Sequence, residues 1–157
     1  MNPLLKADDY IIDCFQNVYD YVWDKFGVTK GVLIMLLKFS MALVMFIDTS
    51  TNFYWRVFWV LFFVMGACGS YFNTHVPQTK GDLNKINSKT LYMRKRDIQS
   101  VKVYVLCPIL MGFVLYNIGL NNYHYVAVLL MIYINFYLIT LLVKEREPDN
   151  FNFSFDH

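Results

Sequence analysis

Carboxylates are missing from every long apolar run of this chain, and its three cysteines are scattered. Proton relays and ion-coupled transport sites depend on buried acids, so that class loses its usual chemistry. Cys14, Cys68 and Cys107 show no CxxC spacing, and the last two fall inside apolar runs, which argues against a disulfide framework or a zinc site. His75, His124 and His157 stand far apart, so a shared metal site is not expected. There is no Ser, His and Asp set within helical reach, no phosphate-binding glycine loop and no paired-carboxylate motif. These absences point away from an enzyme, a cofactor and a resident metal.

A removable signal peptide is not expected at the start of the chain. Its first thirty residues hold five Asp against three Lys, without an uninterrupted apolar segment and small-residue cleavage site. Neither an amino-terminal glycine acylation signal nor a carboxy-terminal prenylation box is present.

What the chain has in excess is apolar and aromatic surface. Its 157 residues are 57% hydrophobic, with a mean hydropathy of +0.36, more than a soluble domain of this size can bury. Twelve Tyr and fourteen Phe suit bilayer interfaces, where a ring can be half wet. A crossing helix needs about 20 mostly apolar residues. Four segments come close: from Val28 or Gly31 to Ile47, Phe53 to Phe72, Val101 to Leu120, and Tyr123 to Val143. The first is the weakest, because Lys38 interrupts it. Polar turns at 48–52 and 121–122 join them pairwise, so the spacing predicts an all-α integral membrane protein built from two antiparallel hairpins.

Five regions follow: a helix over 1–27, a first hairpin over 28–72, a basic connector over 73–100, a second hairpin over 101–143 and a tail over 144–157. In the first, Leu4, Ile11, Phe15, Val18 and Val22 recur at helical spacing opposite Asp9, Asp13, Gln16, Asn17, Asp20 and Asp24. That amphipathic helix has an acidic polar face, better matched to a protein partner or to the chain's own basic connector than to lipid phosphate. Within the connector, 73–81 reads as loop, and Leu91 to Val105 can extend the third span inward. Lys and Arg crowd the connector and are absent from both tight turns, which places the connector and both termini on the cytoplasmic side of a bacterial inner membrane or an organellar membrane.

Several residues are candidates for function. Lys38 lies within a span and either snorkels to the interface or lines a polar path. Gly66 and Ser70, with Gly69 beside them, form a small-residue face that admits a close helix, and Asn117 and Asn135 can hydrogen-bond between helices. Lys89, Arg94, Lys95, Arg96 and Lys102 form a basic cluster suited to acidic phospholipid, to a partner or to topology alone. Without aromatic platforms or a folded module, nucleic acid is not an expected ligand. Phe151, Phe153 and Phe155 alternate with polar residues as an edge-adding strand would. The resulting expectation is a non-enzymatic membrane subunit or scaffold that docks partners, or copies of itself, on the cytoplasmic side. The alternative is a homo-oligomeric pore or membrane-perturbing effector of toxin or defence type.

Overall fold

The computed structural model describes residues 2–48, 52–74 and 80–143, with 71–74 described by their backbone alone. The described residues are helical and contain no strand. Helix α1 (Pro3–Phe26) starts where the Asn2 side chain accepts the Leu4 N–H at 3.1 Å, with Pro3 in the first turn. It stops at Gly27, whose φ of 62° is the left-handed conformation that ends helices and that glycine adopts without strain. Thr29 caps α2 (Lys30–Ile47), and α3 (Phe53–Thr74) follows the polar turn. Helix α4 (Lys80–Met93) lies in the connector. Helix α5 (Arg96–Val101), a π-helical turn (Lys102–Leu106) and α6 (Cys107–Gly119) run on as one rod, and α7 (Tyr123–Ile139) returns beside it. Asn121, at φ 59°, makes the reversal between them.

Lys30–Ile47, Phe53–Ser70 and Arg96–Gly119 are long and apolar enough to cross a membrane, and Tyr123–Ile139 is a shorter apolar helix. Helix α2 packs most extensively on α3, then on α7, and α7 packs on α6. Met41, Ala42, Met45, Phe63 and Val128 form the core where α2, α3 and α7 meet, and Tyr19, Trp23 and Leu141 form a second core under α1. Outside these cores the helices expose large apolar side chains, Met65 to 72% and Phe46 to 68%. An apolar surface this continuous suits lipid rather than water.

Three details depart from the sequence expectations. Residues 80–93 form a helix where 73–81 was expected as loop and only Leu91 onward as helix, and the chain breaks at Arg94 and Lys95 before the next rod begins. The last helix stops at Ile139, not Val143, and residues 141–143 have no regular secondary structure. The buried stripe of α1 is Leu5, Asp8, Ile12, Tyr19 and Trp23, so Leu4 and Val18 of the expected apolar row face outward. Polar contacts, described next, accompany the break at Arg94, the end of α7 and the burial of Asp8. The side chains Phe151, Phe153 and Phe155 lie outside the described residues.

Candidate functional site

The polar residues of α1, α2, α4, α5 and the π-helical turn converge on the last turn of α7. A helix ends with carbonyls that have no partner within the helix and a partial negative charge, which favours cations there. Lys30, at the start of α2, donates to the Ile139 and Leu141 carbonyls at 2.8 Å each and to Thr90 Oγ1 at 3.2 Å. Arg94 donates from Nε to the Thr140 carbonyl at 2.7 Å and from its terminal nitrogen to Gln16 Oε1 at 3.0 Å. Burial pulls the Arg94 guanidinium below its ordinary pKa, with Asp13 opposing that shift. An arginine still remains charged. The break at 94–95 turns this side chain toward α7.

Beyond Thr140 the chain pairs with side-chain amides instead of continuing as helix. Gln16 accepts the Leu142 N–H at 2.8 Å and donates to the Leu142 carbonyl at 3.1 Å. Asn87 does the same for Val143, at 3.0 and 3.1 Å. A primary amide offers the donor and acceptor of a peptide group, so each replaces one rung of a ladder. Residues from α1, α4 and the end of α7 are thereby tied together.

A second polar group is held where α1 crosses the continuous rod. Asp8 is 3% exposed and forms an ion pair with Lys102 at 2.7 Å. The same carboxylate accepts from Gln99 at 2.9 Å and from the Tyr137 hydroxyl at 2.8 Å. Lys102 also sits 4.4 Å above the Tyr137 ring, a cation–π contact that helps solvate its charge. Tyr137 extends the chain to Tyr133 at 3.0 Å. Lys102 is the first residue of the π-helical turn, the extra width of which re-aims side chains along the rod. Contacts of Asp8 with Tyr137, of Gln16 with Leu142 and of Tyr19 with Leu141 show that α1 runs across the end of the bundle.

Next to this knot is a cavity of about 430 Å³ between α2, α3, α4 and the end of α7. Lys30, Lys38 and Lys89 line it with Ser70 and Thr90, and none of its described lining residues is acidic. Lys38 donates to the Gly66 carbonyl at 2.9 Å and makes a short hydrogen bond to Ser70 Oγ. A Cβ built on Gly66 would meet the Lys38 side chain at 3.6 Å. The close approach permitted by Gly66 is thus occupied by a lysine of α2 in the same chain.

The sequence candidates are distributed as follows. Gly66, Ser70 and Lys38 come together, and Gly69 lines the same cavity with open space at its Cα. The basic cluster divides: Arg94 and Lys102 turn inward, Lys89 lines the cavity, and Lys95 and Arg96 are exposed, Lys95 lying 5.1 Å above the Tyr92 ring. Asn117 donates to the Phe113 carbonyl of its own helix at 2.8 Å. Asn135 buries its Oδ1 with no hydrogen bond among the described residues. Sequence reasoning gave no site role to Asp8, Lys30, Asn87 and Gln99 and placed Gln16 only on the polar face of the first helix, and these five hold the knot together. Asp8 carried the one visible signal, as it adjoins Leu5 and Ile12 at helical spacing. No protein-family model, curated protein or solved structure matches the chain.

Proposed function

We propose that this chain is a non-enzymatic integral membrane subunit that crosses the bilayer four times as two hairpins and docks protein partners on its basic, cytoplasmic side. The observation that carries this reading is the asymmetry between its two ends. Among the described residues, helices α1 and α4 and residues 141–143 gather at one end, whereas the other end carries Asp48 and the turn at Asn121. On the elaborated end Tyr10, Tyr21, Leu91 and Tyr92 are more than half exposed on elements outside the apolar spans, with Lys95 and Arg96 close in sequence. Tyrosine and arginine are the residues that protein interfaces enrich, which makes Tyr10, Tyr21, Tyr92 and Arg96 the contacts expected to matter.

Purification of the full chain in mild detergent, followed by mass measurement of the intact complex, tests the reading. A partner is expected, and it should be reduced by Tyr10→Ser with Tyr92→Ser on the helices, or by changing Phe151, Phe153 and Phe155 to Ser in the tail. A bare monomer from the native membrane would count against it. The pore reading draws less support, because Lys38 and Asn117 hydrogen-bond within the chain.

A further inference from the structure

The cavity beside the knot concentrates positive charge that no acid among its described lining residues offsets. Lys30 is 4% exposed, and its three donors meet two carbonyls and a hydroxyl, all neutral. Lys38 likewise meets a carbonyl and a hydroxyl, which leaves it one further N–H. Lys89 is exposed and makes no hydrogen bond among the described residues. Charged groups removed from water require a counter-charge, and neutral acceptors supply only part of it.

We propose that this cavity binds the phosphate headgroup of an anionic phospholipid. Lys30 contributes charge alone, its donors being saturated, whereas Lys38 and Lys89 each keep N–H groups for phosphate oxygens. The position of the cavity selects an amphiphile over a soluble anion. Lys38 lies about 12 Å along α2 from Lys30, inside an apolar span, and Lys89 and Thr90 belong to the connector helix. Ile34, Ile139 and Met93 supply apolar wall between them. One side is therefore polar and reachable from the connector, and the other opens at the depth of glycerol and acyl chains. This inference rests on insertion in a bilayer and is independent of whether a protein partner docks.

Native mass spectrometry of the full chain in mild detergent, offered equal phosphatidylglycerol and phosphatidylcholine, tests it. Retention of phosphatidylglycerol should be about tenfold stronger, on the scale of one to two headgroup-facing charges. Lys38→Gln with Lys89→Gln should abolish the preference, and Lys95→Gln with Arg96→Gln should leave it. Lys89→Gln alone removes no hydrogen bond among the described residues, so a weakened preference in that variant supports the site even where the double variant unfolds. Equal retention of the two lipids by the native chain overturns the proposal, as does a loss confined to the Lys95 and Arg96 variant. Displacement by millimolar inorganic phosphate assigns the site to a soluble anion instead and overturns the lipid. A preference that emerges only after deletion of residues 144–157 assigns the cavity to the chain's own acidic tail, with the same consequence.

Discussion

Asp8 and Lys102 show how much a single buried charge can decide. Their side chains are 4% and 10% exposed, so removing one partner leaves the other ionised in a poorly solvated place. Asp8→Ala should destabilise the fold by about 3–5 kcal/mol. Pairing it with Lys102→Met should recover part of that loss, and thermal unfolding in detergent measures both; additive losses would show that the pair is not coupled. Tyr19 behaves differently. Burial pushes its phenol up to about 12, the Lys30 backbone N–H offsets part of that rise, and Asp20 adds to it. Its hydroxyl nonetheless makes no hydrogen bond of good geometry among the described residues. Because the folded pKa is raised, this contribution is complete below pH 10 and is lost as pH climbs toward 12. Tyr19→Phe should be neutral or stabilising at pH 7 and should remove on the order of 2 kcal/mol from the alkaline loss. An unchanged alkaline transition in that variant would assign the loss to other groups. At Gly66, alanine places its Cβ in ordinary contact with Lys38, so Gly66→Ala should be tolerated. Gly66→Leu must displace Lys38 and should cost about 1–3 kcal/mol in the same melts.

At the scale of elements, the end of α7 is held by side chains from other helices. Helix α7 has almost no amphipathic asymmetry, so its sequence gives little indication of where it stops. Lys30 and Arg94 satisfy its last carbonyls, and Gln16 and Asn87 hold the two residues that follow. Gln16→Ala leaves the partly buried N–H and carbonyl of Leu142 without this partner and should cost about 1 kcal/mol. Hydrogen exchange at Leu142 should accelerate, with Leu129 near the middle of α7 unaffected. If both amides keep their protection, Gln16 is not what holds this segment.

At the scale of the whole molecule, the pairing of α2 with α3 and of α6 with α7, joined through α2 and α7, gathers these four apolar helices into one bundle. Cys14 is exposed on α1, and Asn121 is exposed at the tight turn. In intact vesicles an impermeant maleimide should reach Cys14 and an Asn121→Cys substitution from opposite faces. Labelling of both from one face would remove the proposed topology and, with it, the single docking side.

The sequence by itself determined that the chain is helical and has segments long enough for a membrane, because both depend on local quantities. A run such as Phe53–Ser70 is apolar regardless of its neighbours, and the caps at Asn2, Gly27 and Thr29 act within a few residues. The ends of α4 and α7, the inward turn of Arg94 and Lys102, and the lysine-lined cavity depend on contacts between residues far apart in the chain. Lys30 and Leu141 are 111 positions apart, and Asp8 and Tyr137 are 129. No local pattern encodes such pairings. Low dielectric makes an unpaired polar group costly, so tertiary packing decided where each of these charges would rest.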